Sequence, residues 1–252
     1  MTNSQIGLLT TFLLGIFIII GAFISLLVSK REKIVDFSIG LAFGVITMLS
    51  ISDILPEIFE SFGWKYFYLF LFFTLGGFFL LRVLDQFVPD HHEHHAMNKK
   101  EAKENLTHIG VITTLALVLH NIVEGIAVYS SALSSHSLAV SLALGVGFHN
   151  IPLGMVVASS FYHSEKDKKK TWLSILFVSL STFLGGLFMY IFGLRTISDF
   201  VLGIFLSLTL GMLLFIVIDE LFPRIQTIKD KTTVIIGIIV GIIILFIASL
   251  IG

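Results

Sequence analysis

The chain contains no cysteine and only 4 prolines and 2 tryptophans among its 252 residues, and just 13% of those residues are charged. Each shortage excludes something. Without thiols there are no disulfides and no thiolate metal sites, so the redox compartment is unconstrained and any metal must be held by nitrogen and oxygen. The charge content is about half the roughly 25% usual in soluble domains. With 56% hydrophobic residues and a mean hydropathy of +0.97, the chain reads as an integral membrane protein. The net charge is −1, and no basic stripe interleaved with aromatics exists, so nucleic acid is not an expected partner. No His-Glu-x-x-His occurs, which removes the helical zinc-protease signature, and nothing else indicates an enzyme.

What is present is a series of apolar runs, each near the length of about 20 residues that a membrane-crossing helix requires. Eight stand out, at about 6–28, 34–56, 66–88, 109–129, 138–160, 172–194, 198–221 and 232–250. The expectation is an all-α, polytopic fold of eight transmembrane helices, forming a single transmembrane domain over residues 1–252 in a bilayer. Almost nothing remains for a soluble domain. The first run is expected to be retained rather than cleaved, because Met1–Gln5 carries no basic residue and the run exceeds the usual signal length. The 25 phenylalanines are spread along the spans, where lipid contact is sufficient explanation.

Lys and Arg divide unequally between alternate connections. One set holds Lys30, Arg31, Lys33, Arg82, Lys99, Lys100, Lys103, Lys166, Lys168, Lys169, Lys170, Arg224, Lys229 and Lys231; the other holds only Lys65 and Arg195. The positive-inside rule then places both termini outside and the 89–107 loop in the cytoplasm, as expected of a multi-pass protein of the cell membrane.

Two nine-residue stretches repeat one pattern within the fourth and fifth runs, His120-Asn121-Ile122-Val123-Glu124-Gly125-Ile126-Ala127-Val128 and His149-Asn150-Ile151-Pro152-Leu153-Gly154-Met155-Val156-Val157. At about 1.5 Å per residue through a core about 30 Å thick, both histidines fall near the midplane. A strongly polar or charged group there costs at least about 2.5 kcal/mol, so such a cluster signals function. His120 and Glu124 stand four apart and share a helix face, as two ligands of one cation must. Imidazole nitrogen with carboxylate and amide oxygen suits a borderline divalent ion such as zinc, iron, manganese, cobalt or cadmium rather than calcium or magnesium. The candidate metal residues are therefore His120, Glu124, His149, Asn121 and Asn150, the two asparagines equally open to a role bridging helices.

Further carboxylates lie at the mouths. Span 2 ends in Asp53 and Glu57 on the outer side; span 7 ends in Asp219 and Glu220 on the inner side, where Asp219 has Arg224 as an available partner. Asp53, Glu57 and Glu220 are candidate entry and exit residues, and Asp36 is equally a structural partner. Asp53-Ile-Leu-Pro56 aligns with Glu220-Leu-Phe-Pro223, a second internal match between oppositely directed spans. Inverted repeats of this kind put a transporter's substrate site at the midplane of the repeat interface. Pro152 frees a backbone carbonyl and bends its helix, while Gly125, Gly154, Gly185 and Gly186 allow close helix approach. The tract His91-His92-Glu93-His94-His95 offers His91, His92, His94 and His95 as a weak cytoplasmic metal buffer or sensor.

At these residues the chain resembles the ZIP (Zrt/Irt-like protein) family of divalent metal transporters, in its prokaryotic branch. The family pattern His-Asn-x-Pro-Glu-Gly is matched by His120, Asn121, Glu124 and Gly125, and by His149, Asn150, Pro152 and Gly154. Leu55-Pro56-Glu57 and Glu220-Leu221-Phe222-Pro223 also look like the family's. The resemblance implies eight spans and uptake of divalent metal, zinc first, as substrate. Three departures stand against the pattern: Val123 replaces a proline, Leu153 replaces a bridging glutamate ligand, and Ser181-Thr182-Phe183 occupies the place of a Glu-Pro. Loss of two carboxylates points to one ion, held by His120, Glu124 and His149 and completed by Asn121 or Asn150 and water. Other readings remain: a non-transporting metal sensor on the same fold, or a membrane redox protein with haem between His120 and His149, which leaves Glu124 and the asparagines unexplained. Pairing of two chains as a homodimer is left open.

Overall fold

The computed structural model describes residues 2–28, 32–86, 99–134, 136–164 and 168–251. Among them there is no strand, and the chain is a succession of helices: α1 Asn3–Val28, α2 Glu32–Leu49, α3 Leu55–Phe62, α4 Phe67–Asp85, α5 Lys99–Ser134, α6 His136–Ser164, α7 Lys168–Ile191, α8 Asp199–Phe215, α9 Phe222–Thr227 and α10 Lys231–Ile251. Among the described residues, six stretches are long and apolar enough to cross a membrane: Asn3–Leu27, Asp36–Phe62, Trp64–Asp85, Gly110–Leu133, Lys169–Ile191 and Asp199–Thr227. The other two expected runs, 138–160 and 232–250, fall in α6 and α10, whose described apolar parts are the shorter Val146–Ala158 and Lys231–Ile247. The tract His91–His95 lies outside the described residues.

Two of the six crossings are compound. Ser50–Ile54 joins α2 to α3 as a π-helical turn, and Ile216–Leu221 joins α8 to α9 in the same way. Each is followed at once by a proline in the first turn of the next helix, Pro56 and Pro223. Proline has no N–H to give to the preceding turn and crowds the carbonyl four residues back, so a widened turn ahead of it relieves the clash without ending the helix. The chain reverses after α3 at Gly63, whose φ of 61° favours glycine. At the other helix starts, Ser198 caps α8 by accepting the Val201 N–H at 3.4 Å. Asp230 caps α10 by accepting the Thr233 N–H at 3.2 Å and its hydroxyl at 2.8 Å.

Close helix contact is organised by paired glycines. Where Gly21 of α1 would carry a Cβ stands the Ile151 carbonyl of α6, and where Gly154 of α6 would carry one stands the Ile18 carbonyl of α1. The same exchange joins Gly125 of α5 with Gly185 of α7 through the carbonyls of Thr182 and Ile122. It joins Gly77 of α4 with Gly211 of α8 through Leu208 and Thr74, and Gly44 of α2 with Gly241 of α10 through Ile238 and Leu41. In every pair the glycine meets the carbonyl three residues ahead of the partner glycine, so all four crossings share one geometry, the small-residue packing that lets helices associate in lipid. Gly40 and Gly44 meet Val234 and Ile238 in the same order, so α2 and α10 run parallel.

These pairs expose an internal repeat wider than the two motif matches. Placing Pro56 on Pro223 also places Gly44 on Gly211, since each precedes its proline by twelve residues. Gly21 then corresponds to Gly185, Gly77 to Gly241, and Gly125 to Gly154, so that the α1–α6 pair maps onto α7–α5 and the α2–α10 pair onto α8–α4. The helices sort into two groups by contact: α1, α5, α6 and α7 pack on one another, while α2 with α10 and α4 with α8 form the other group. Between the groups, α6 touches α2 and α10, and α5 touches α8. The outward faces of α4 and α10 keep Phe72, Leu75, Phe79, Ile239 and Ile243 exposed, as lipid-facing helices do.

Candidate metal site

The polar residues of the two repeated motifs lie on α5 and α6, the helices that face both groups. On α5, His120 and Glu124 turn inward together, their side chains 6% and 8% exposed, with His120 Nε2 3.8 Å from Glu124 Oε1. Two ligands about 2.0–2.1 Å from one tetrahedral ion are separated by about 3.3 Å, so a change of half an ångström would let both groups hold the same ion. The i, i+4 spacing is what brings them to one place, as the sequence pattern requires.

Asn121 is fully buried and divides its two functions. Its amide Nδ2 donates to the Val178 carbonyl of α7 at 3.2 Å, tying α5 to α7, while its Oδ1 has no hydrogen-bond partner among the described residues. Asn150 of α6 is likewise fully buried, and neither of its amide atoms has such a partner. A buried amide left unsatisfied costs about 1–3 kcal/mol, so these oxygens are suited to accept from water or to bind a cation. Thr182 of α7, packed over Gly125, adds a buried hydroxyl without a partner among the described residues. His149 belongs to α6, but its side chain lies outside the described residues; among those that are described, no three His, Asp or Glu side chains gather round one point.

The positions that depart from the resembled pattern are apolar or small in three dimensions as well. Leu153 is fully buried, so a carboxylate there would point into the packed interior. Val123 is 6% exposed within an α5 that continues unbroken through it, whereas Pro152 sits inside α6. Ser181 donates to the Val178 carbonyl at 2.6 Å, so its hydroxyl is spent on its own helix.

The mouth residues fall at the two π-helical turns. Asp53 lies in the first, accepting from the Ser52 hydroxyl at 2.6 Å, and Glu57 follows on α3, half-buried. Glu220 lies in the second turn, half-buried. Its neighbour Asp219 pairs with Arg82 at the end of α4, Arg82 Nη1 to Asp219 Oδ2 being 3.0 Å, rather than with Arg224, the partner available along the chain. Arg224 and Asp36 of α2 instead line one opening. Lys33, Asp36, Arg224, Thr227, Lys229 and Asp230 line an opening of about 360 Å³ at this end of the molecule. Arg82 entered the sequence reading only as a topology charge, and no local pattern marks it as Asp219's partner.

Comparison with known proteins agrees over nearly the whole chain. Residues 4–249 match the family model described as ZIP zinc transporter. Similar relatives include the zinc transporter ZupT of Clostridium perfringens, 28% identical over 99% of this chain and 97% of its own. The ZupT of Chlorobium luteolum is 30% identical over 99% of both. That of an Escherichia coli strain is 28% identical over 94% of this chain and 93% of its own.

Proposed function

We propose, from the premise that this chain belongs to the ZIP zinc transporter family, that it carries divalent transition-metal cations, zinc first, across the cell membrane into the cytoplasm. The cation is held at mid-depth by His120, Glu124 and His149, with Asn121 or Asn150 and water completing the shell. Site exposure alternates as the two helix groups rock or slide past each other around α5 and α6. The observation that carries this reading is the buried His120–Glu124 pair at 3.8 Å, together with the buried Asn121 Oδ1 and Asn150 amide that have no hydrogen-bond partner among the described residues. Such a set is costly in a lipid-embedded bundle and suits a nitrogen-and-oxygen site for a borderline ion.

The topology belonging to this reading is eight crossings with both termini outside. The parallel run of α2 and α10 supports it, because the second and eighth crossings of an alternating chain point the same way. With Arg82, Arg224 and the lysines in the cytoplasm, Asp53 and Glu57 guide the cation in and Glu220 receives it on the inner side. One ion occupies the site, because Leu153 and Thr182 leave it a single carboxylate. His91, His92, His94 and His95 buffer metal beside the exit. Purified protein in proteoliposomes, assayed for influx of zinc, iron, manganese, cobalt and cadmium, tests the reading. Saturable zinc uptake that Glu124→Ala removes supports transport; tight zinc binding with no flux assigns the chain to the sensor class, and a Soret band to the haem class.

A further inference from the structure

We propose that the recess where the ends of α1, α5 and α7 meet is a binding site for the phosphate group of an anionic phospholipid with a hydroxyl headgroup. The site uses none of the metal-site residues and does not depend on the transport reading. The opening has a volume of about 370 Å³ and is lined by Asn3 and Ser4 of α1, Tyr129 of α5, Tyr190 of α7 and Arg195 just beyond α7. The crossing stretches Asn3–Leu27, Gly110–Leu133 and Lys169–Ile191 all begin or end here, so the recess lies at the level of the lipid headgroups, where tyrosines gather at membrane surfaces.

Local structure supplies the donors. α7 ends in a Schellman turn, in which the Leu194 N–H donates to the Met189 carbonyl at 2.9 Å and the Gly193 N–H to the Tyr190 carbonyl at 3.2 Å, with Gly193 at a φ of 62°. That reversal sets Arg195 at the recess, and Arg195 has no ion-pair partner among the described residues. At the start of α1, Thr2 and Gln5 cap each other, the Thr2 N–H donating to Gln5 Oε1 at 2.9 Å and the Gln5 N–H to Thr2 Oγ1 at 3.3 Å. The first-turn N–H groups of Asn3 and Ser4 have no preceding turn to bond and are available to an anion.

Tyr129 is only 2% exposed, yet it lines the recess and its hydroxyl bonds to no described residue. Its ring packs on Gly7, where a Cβ would stand 3.0 Å from Cδ2. The repeat does not require such a ring, because Tyr129 is four residues beyond Gly125 and the equivalent position, four beyond Gly154, is Ala158. A buried hydroxyl, a guanidinium and main-chain N–H groups, converging from three helices, suit a tetrahedral oxyanion. No carboxylate lines the opening among the described residues, so an ethanolamine or choline headgroup would bring its cation to Arg195 without a counter-charge. Beside the recess Phe188, Ile191 and Phe192 are exposed, with the two phenylalanine rings 4.8 Å apart. They give acyl chains an apolar face along α7, which favours a lipid phosphate over a free one.

The test is photolabelling of the full chain in phosphatidylcholine proteoliposomes that carry photoactivatable phosphatidylglycerol or phosphatidylethanolamine of the same acyl chains, with the labelled peptides mapped by mass spectrometry. Phosphatidylglycerol should label the segments 129–133 and 190–195 several-fold more than phosphatidylethanolamine does. Arg195→Gln and Tyr129→Phe should each lower that labelling about threefold to tenfold, while labelling around Lys229, at another opening, stays as in the parent. Tyr129→Phe keeps the ring on Gly7, so it decides the matter even if Arg195→Gln fails to fold. Equal labelling by the two lipids, or labelling that Tyr129→Phe leaves unchanged, overturns the proposal. Inorganic phosphate, compared with chloride at equal ionic strength, should leave most of the labelling in place. Complete displacement by phosphate would make a free anion the ligand and overturn the lipid assignment.

Discussion

Gly125 of α5 lies directly against the main-chain carbonyl of Thr182 in α7. That approach is what sets His120, Asn121 and Glu124 at their depth between the helices, because Gly125 is one residue from Glu124 and the adjoining Asn121 bonds to the Val178 carbonyl of the same partner helix. Any side chain at Gly125 must separate α5 from α7. Overpacking of a core costs about 1–3 kcal/mol, and more where backbone must move. Gly125→Leu and its repeat counterpart Gly154→Leu should therefore lose most of the folded protein. Gly76→Ala should be close to neutral, since the nearest atom to a Cβ there is a Leu208 side-chain carbon at 3.7 Å. Thermal melting of detergent-solubilised protein, followed by size-exclusion chromatography, compares the three.

His120→Ala and Glu124→Ala should each reduce zinc influx by at least about tenfold, because even outer partners of a metal ligand are worth about 10–100-fold. Melting in the absence of metal should change far less, as removal of either group also removes a buried polar atom. Equal influx by either variant and the parent would place the binding site elsewhere.

Leu153→Glu should add the carboxylate that the family pattern has at that position, and with it a second metal position beside Glu124. Equilibrium dialysis with zinc should then rise from one ion per chain towards two. Because Leu153 is fully buried, the new carboxylate is costly without metal, so the variant should be less stable than the parent in chelator and recover in zinc.

Asp230, outside the membrane-crossing stretches, carries a pH signature. The Thr233 hydroxyl and N–H hold its carboxyl below the ordinary 3.8, with Lys33 adding to the effect. A carboxyl with a lowered folded pKa contributes stability that is complete above its unfolded value and disappears as pH falls through the folded one. The melting temperature of the parent should exceed that of Asp230→Ala at neutral pH, and the gap should narrow only below pH 3.8. A gap that stays constant down to pH 2.5 would falsify the cap's role.

The proximity of His120 to Glu124 was legible along the chain because its signal is local. His120 and Glu124 share a face by helical spacing alone, and a buried polar pair inside an apolar run has few meanings. The Pro56 and Pro223 motifs foretold paired mouths, and the structure turns them into paired π-helical turns. What spacing could not convey was contact between distant helices, such as Arg82 taking Asp219 in place of the nearer Arg224. Such partners depend on which helices touch, and in lipid, where apolar surface discriminates little, that choice falls to where main chains can approach.

Composition and hydrophobic periodicity by themselves determined that this chain is helical and membrane-embedded and that polar residues interrupt its fourth and fifth apolar runs, because the bilayer leaves helices little alternative and tolerates polar groups only at a cost. Only the tertiary structure decided how four reciprocal glycine contacts pair α1 with α6, α5 with α7, α2 with α10 and α4 with α8. Those contacts are made between residues far apart in sequence, through backbone atoms that every residue carries alike, and so no residue type announces them in advance.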